Sequence, residues 1–179
     1  MAESFSNSFT RAAGIVTTST NGSIGANATT ITGISTVGVA VSALVDNGNF
    51  IAGTKVTAIG SDQVTVDRSS TNTSSTTSQT VRFLGPTTAY TSTGGVKSIL
   101  IGGTFANNTN NQVTLTVESY DNSAGVTVAI ASKIPVPAGS SFVISDTGKT
   151  LLEGNDELRI YADTNNAIDA NMSILTGVS

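Results

Sequence analysis

The sequence predicts an all-β protein. Three observations predict it. Short Val-, Ile- and Thr-rich stretches alternate apolar and polar residues with period two along nearly the whole chain. Clusters of Gly, Asn, Asp and Ser interrupt them at short intervals, and no segment sustains a helical period. The 179 residues suffice for one mid-sized β domain or two small ones.

Candidate strands fall at Ala13–Ser19, Thr29–Ile34, Ala40–Leu44, Lys55–Gly60, Gln63–Asp67 and Thr80–Leu84. Further along they fall at Gly95–Gly102, Gln112–Tyr120, Val126–Ile134, Ser141–Ser145, Glu157–Ala162 and Ala170–Leu175. Lys55–Asp67 is the clearest hairpin, because alternating apolar positions flank Gly60-Ser61-Asp62, a triplet that predicts a tight reversal through positive φ. Val56 and one or more of Ile59, Val64 and Val66 are then expected on one buried face. Arg68–Ser78 is almost pure Ser, Thr and Asn and predicts a mobile loop, with Gly85-Pro86 closing a module. Each Pro in Pro135-Val136-Pro137 removes a ladder donor, so Pro135–Gly139 is expected at a sheet edge or crossing between strands. Leu151–Asp156 reads as a turn feeding the next strand. Asp169–Leu175 places Ala170, Met172 and Ile174 on one face, inward or outward.

Composition removes most chemistry. The chain has no His and no Cys, so Ser-His-Asp, Cys-His and thiolate- or imidazole-metal sites cannot be built, and no disulfide staples the fold. Charged residues are 11% of the chain, against about a quarter in ordinary globular proteins, while Ser and Thr supply about three residues in ten. The surface is therefore expected to be neutral and hydroxyl-rich, and a mean hydropathy of +0.14 argues for a folded chain. A net charge of −4 with scattered Lys and Arg gives no footprint for nucleic acid. No apolar run reaches membrane-spanning length, and Met1–Arg11 lacks the pattern of a signal peptide, so no membrane partner and no secretory export are expected.

Four carboxylates invite a catalytic reading, Asp156, Glu157, Asp163 and Asp169, since paired acids can serve glycoside hydrolysis. All four sit at turns or strand ends, where Asp and Asn cap backbone groups, and capping is the expectation. Asp46-Asn47-Gly48-Asn49 and Asn155-Asp156-Glu157 offer oxygen ligands for calcium, but they are also ordinary turn chemistry and match no calcium loop. Gly94-Gly95 and Gly102-Gly103 read as turns or bulges rather than phosphate loops. Tyr90, Tyr120 and Tyr161 form either a binding platform or plain sheet filling. Asn27-Ala28-Thr29 and Asn72-Thr73-Ser74 are glycosylation sequons without a secretory context. The expectation is no enzyme, no catalytic residue, no metal and no cofactor.

Residues Thr87–Val178 resemble a small β-sandwich domain of tailed-bacteriophage virion proteins, notably those of marine cyanophages. The matching phrases are Val96–Thr109, Val113–Tyr120, Pro135–Ser141, Leu151–Ile160 and Ile168–Leu175. Ile51–Ile59 with Val64–Asp67 and the Ser/Thr tract resembles a small module of phage fibre and virion proteins. The resemblance implies a jelly-roll-like β-sandwich with a first strand supplied by Phe9–Thr17 and hence a discontinuous domain, 1–18 plus 86–179, interrupted by a small inserted β-barrel or β-sandwich module at 19–85. It also implies a virion protein assembled in the host cytoplasm, a capsid decoration or cement protein stabilising the head by multivalent contacts. The alternative is a neck, tail or fibre component touching other tail proteins or host glycans; a cell-surface adhesin or carbohydrate-binding module ranks below both. The partners implied are the major capsid protein or neck and tail proteins, with further copies of the same chain as a homo-oligomer.

Overall fold

A computed structural model of the chain describes residues 3–145 and 149–178. Strands of the first half are β1 (Ser4–Ala13), β2 (Ile15–Ile24), β3 (Thr30–Thr32), β4 (Leu44–Asp46), β5 (Val56–Ile59), β6 (Gln63–Val66), β7 (Thr76–Gly85) and β8 (Thr87–Thr91). Those of the second half are β9 (Lys97–Asn107), β10 (Val113–Asp121), β11 (Val126–Val136), β12 (Ser141–Ile144), β13 (Thr150–Leu152), β14 (Glu157–Ala162) and β15 (Ile168–Val178). Every strand pair is antiparallel, and the described residues contain no helix. The fold is all-β.

The chain forms two compact units, Met1–Gly14 with Thr87–Ser179, and Ile15–Pro86. In the first, β12 and β13 both pair with β9 and act as two halves of one edge. The strands then nest like a folded ribbon: β10 with β11, β9 with β12 and β13, β8 with β14, and β1 with β15. Rolling the ribbon brings β15 onto β9 and β14 onto β10. The resulting sheets, β1-β15-β9-β12 and β11-β10-β14-β8, are those of a two-sheet jelly roll.

Period-two alternation explains what lies between the sheets. Val113, Leu115 and Val117 from β10 and Leu158, Ile160 and Ala162 from β14 meet Leu100, Phe105, Met172 and Ile174 in one buried cluster. Ala170, Met172 and Ile174 are the inward set of β15. Pro135 lies in β11, at the edge of its sheet, where a missing donor costs no ladder bond. The buried Asn107 side chain closes one end: its Nδ2 donates to the carbonyls of Asn111 (2.7 Å) and Val136 (2.9 Å), and its Oδ1 accepts from the Thr109 amide (2.8 Å).

The second unit is one sheet, β4-β7-β2-β3-β6-β5, over a core of Ile24, Ile31, Val45, Phe50, Val56, Val64, Val81 and Phe83. It is not a closed barrel of strand ladders. A single bridge, Leu44 to Lys55, links its end strands, with main-chain bonds from Ser42 to Val56 and from Val45 to Thr54, 2.8 Å each. In the β5–β6 hairpin Val56, Val64 and Val66 are buried while Ile59 turns outward. Its turn closes through Gly60 N–H to Gln63 C=O (2.8 Å), and none of Gly60, Ser61 and Asp62 adopts positive φ, so the expected turn chemistry is not used.

Other expectations need correction. Phe9–Thr17 is not one strand: the chain breaks at Gly14, and Ile15–Thr17 pair with β7 inside the second unit. Residues 40–43 form a turn before β4, and β8 and β13 were not foreseen. The tract expected as a mobile loop is strand from Thr76 onward, and before that it is pinned by hydrogen bonds. The buried Ser70 accepts from the Ala28 amide (3.0 Å) and donates to Gly25 C=O (2.9 Å), and the Thr71 amide donates to Asn49 C=O (2.8 Å). Hydroxyls here replace apolar contacts as the means of anchoring.

Gly14 sits at φ 122°, and a Cβ there would collide with the Thr164 carbonyl oxygen and press on Ala162 Cβ at 3.1 Å. Gly14→Ala is therefore expected to lower unfolding stability by at least the about 1–3 kcal/mol of one strained residue. Chemical denaturation checks this, and a stability within error of wild type would contradict the close approach.

Candidate functional site

The carboxylates singled out by sequence are dispersed along strand ends, and each accepts hydrogen bonds from the surrounding frame. Asp156, 6% exposed, accepts from the Asn122 amide through Oδ1 (3.0 Å) and from the Glu153 amide through Oδ2 (2.8 Å). Asp163 accepts from the Thr114 amide (2.9 Å), and Asp169 from the Ala12 amide (2.8 Å). Glu157 receives Arg159 Nε at 2.8 Å and the Thr88 hydroxyl at 3.2 Å. Asp46 pairs with Arg82 (3.1 Å), and Asn47 caps its own turn by accepting from the Asn49 amide (2.9 Å). Among the described residues no three acidic side chains gather to hold a metal. Asn72 of the second sequon turns its amide inward, donating to Ile24 C=O (3.2 Å) and Ser74 C=O (2.6 Å).

Sequence reasoning missed a polar ladder on β10 and β14, on the side away from the core. Register pairs Thr116 with Tyr161, Glu118 with Arg159, and Tyr120 with Glu157. Arg159 stacks its guanidinium 3.9 Å from the centre of the Tyr120 ring while bonding Glu157. Burial, then the neighbouring Glu118 carboxylate, hold the Tyr161 hydroxyl well above the ordinary tyrosine range. The period-two spacing of Glu118 and Tyr120 against Arg159 and Tyr161 is the signal that would have found it. Thr116, Glu118 and Tyr161 are all under 10% exposed, while Tyr120, Glu157 and Arg159 are half-buried. The three tyrosines assemble no platform, since Tyr90 bonds Ser98 (2.9 Å) beside the core.

What lies open is the outer face of the β1-β15-β9 sheet. One row crosses four strands in register, Phe5, Leu175, Ile99 and Leu151, with Phe5 73% and Leu151 51% exposed. A second row runs Phe9, Asn171, Thr104 and Val143, with Phe9 again 73% exposed. Beside it a depression of about 380 Å³ is lined by Phe9, Arg11, Thr104, Ala106, Asp169 and Asn171 among others. Apolar faces left open on a sandwich mark contact surfaces.

Because Asp156 accepts from two main-chain amides, Asp156→Ala is expected to cost about 1–3 kcal/mol of stability through the orphaned donors. Asp156→Asn should recover part of it, and a chelator should leave the wild-type midpoint unchanged. Urea titrations check all three.

No protein-family model matches the chain, and no curated protein matches it. Two solved structures of infectious bursal disease virus are similar in part. A chain in the Gt strain structure is 9% identical with a TM-score of 0.32, over 96% of this chain and 57% of that one. A chain in the crystal structure of the T13 viral particle is 9% identical with a TM-score of 0.34, over 98% and 69%. The protein thus spans a little over half the length of the first, and likeness at this level carries no functional assignment.

Proposed function

We propose that this protein is a structural, non-enzymatic component of a virus particle, specifically a decoration or cement protein that binds the major capsid protein of a tailed-phage head during assembly in the host cytoplasm. The observation that carries the reading is the outer sheet face, where Phe5, Leu175, Ile99 and Leu151 form an open apolar row on a jelly roll with little charge. Jelly rolls build both viral coats and lectins, an analogy at the level of fold alone. The resemblance of Thr87–Val178 to tailed-phage virion domains favours the coat. Weak neutral contacts become durable when an ordered lattice presents them many times over, and such contacts need no anchoring chemistry. A second reading, a neck, tail or fibre component meeting host glycans, is favoured by the depression beside Phe9, where an aromatic ring adjoins Arg11, Asp169 and Asn171.

The domain organisation belongs to the same proposal. Within the first unit the Gly14 amide lies 3.3 Å from Thr87 Oγ1, and within the second Ile15 pairs with Gly85. Entry and exit therefore coincide in each unit, the geometry of an inserted module. That module then offers neighbouring subunits a second contact element.

Two measurements test these statements. Quantitative mass spectrometry of purified particles should find hundreds of copies for a decoration protein; a few copies would shift the assignment to neck or tail, and none would remove the virion reading. Excision of residues 15–86, with Gly14 joined to Thr87 by a short Gly/Ser linker, should leave a soluble β protein that melts cooperatively and still binds particles. An unfolded product would reject the inserted-module architecture.

A further inference from the structure

We propose that a second copy of this chain docks along β1, so that the β1-β15-β9-β12 sheets of two protomers join edge to edge across a two-fold axis at Asn7. β1 is the end strand of its sheet, partnered by β15 on one side only. Its register with β15 is unbroken from Ser4 to Thr10, so this stretch offers a regular edge, and the bulge beyond Thr10, with Ala12 at φ 58°, ends it. β8 reaches β1 through the hydroxyls of Ser8 and Thr10, which donate to Ala89 C=O at 2.9 and 3.3 Å from the inward side of the strand.

From Ser4 to Thr10 the residues along this edge read the same in both directions by chemical type, and opposite charges flank them. Around Asn7, Ser6 mirrors Ser8, Phe5 mirrors Phe9, Ser4 mirrors Thr10, and Glu3, just before the strand, mirrors Arg11. In an antiparallel pairing of two copies centred on Asn7, each Phe5 faces a Phe9 and each Glu3 faces an Arg11. Hydroxyl residues meet on the opposite side of the sheet. Aromatic and opposite-charge residues placed directly across from each other are the pairs that stabilise adjoining strands. Phe5 and Phe9 are each 73% exposed in the single chain, and Glu3, Asn7 and Arg11 are exposed with them. Charge complementarity thus selects the occupant: a parallel copy would set Glu3 on Glu3, and a foreign strand would need the same pattern in reverse.

The other sheet edges fit this role less well. β12, β13 and β8 are short, with 4, 3 and 5 residues. β11 is long but carries two register irregularities, Lys133 at φ 51° and Pro135. A long regular edge with exposed Phe is a template for open-ended aggregation, whereas two-fold pairing consumes both edges and stops. This inference does not rest on the virion reading, and its test uses the free protein.

Sedimentation equilibrium of the full chain should give a species of twice the 18.0 kDa chain mass. Glu3→Arg and Arg11→Glu, each alone, turn both cross-strand charge pairs into like-charge pairs and should weaken self-association by about tenfold. An equimolar mixture of the two variants restores both opposite-charge pairs and should dimerise as wild type does. No folding defect in either variant could produce that rescue. A wild-type chain that stays monomeric or takes another stoichiometry overturns the proposal. So do variants that associate as tightly as wild type, or a mixture that fails to recover.

Discussion

One extra residue in β9 decides which side of the sandwich the rest of that strand faces. Ser173 opposes Gly102 and Ile174 opposes Leu100, so Ile101 is looped out of register. Before it the even residues Ser98 and Leu100 point inward; after it the odd residues Phe105 and Asn107 do. Without that switch Phe105 would leave the core, and Asn107 would lose the carbonyls through which it ties β9 to the end of β11. Gly102 suits the site because a Cβ there would come within 3.0 Å of the Ile144 carbonyl oxygen on the neighbouring strand. The outer row of Phe9, Asn171, Thr104 and Val143 depends on the same switch, since it leaves Thr104 outside.

Legibility in the sequence followed the density of β-branched residues. The hairpin at Lys55–Asp67 and the alternation in Val113–Val117, Leu158–Ala162 and Ala170–Ile174 could be read directly, because each residue's neighbours two positions away share its character, though not which way the last set faces. β1 was missed from Ser4 to Ser8 because its inward positions are Ser6, Ser8 and Thr10, opposite Ile174, Met172 and Ala170. Period-two reading looks for apolar residues at such positions and found hydroxyls. The start of β7 was missed for the same reason. In the Ser/Thr tract, anchoring by Ser70 is a tertiary hydrogen bond with no local signature. The bulge at Ile101 was half visible, as a Gly pair in an apolar run, but not its direction.

The acidic residues show how a chain poor in charge uses what it has. Asp156, Asp163 and Asp169 each hold a strand end by accepting from main-chain amides, but only the bond from Glu153 to Asp156 is local; the amides of Thr114 and Ala12 come from distant strands. Glu118 of β10 lies opposite Arg159 of β14 and beside Tyr161, while Glu157 bonds Arg159 two residues along the same strand. The carboxylates thus secure the frame of the sandwich, and its outer rows are left to apolar and hydroxyl side chains.

The pairing of Ser4 with Thr176 also sets an order of events during synthesis. Every ladder of the unit Ile15–Pro86 lies within that segment, so it has all its partners as soon as it leaves the ribosome. β1 is made before β15 and stays without that partner until β15 has been made. Its pairing closes a long loop, which is costly in chain entropy. Ser4, Ser6, Ser8 and Thr10 keep the waiting strand hydrated on the side that will face inward, where they stay exposed or half-buried once it docks. Its hydroxyl-rich sequence is therefore suited to the nascent chain as much as to the finished sheet.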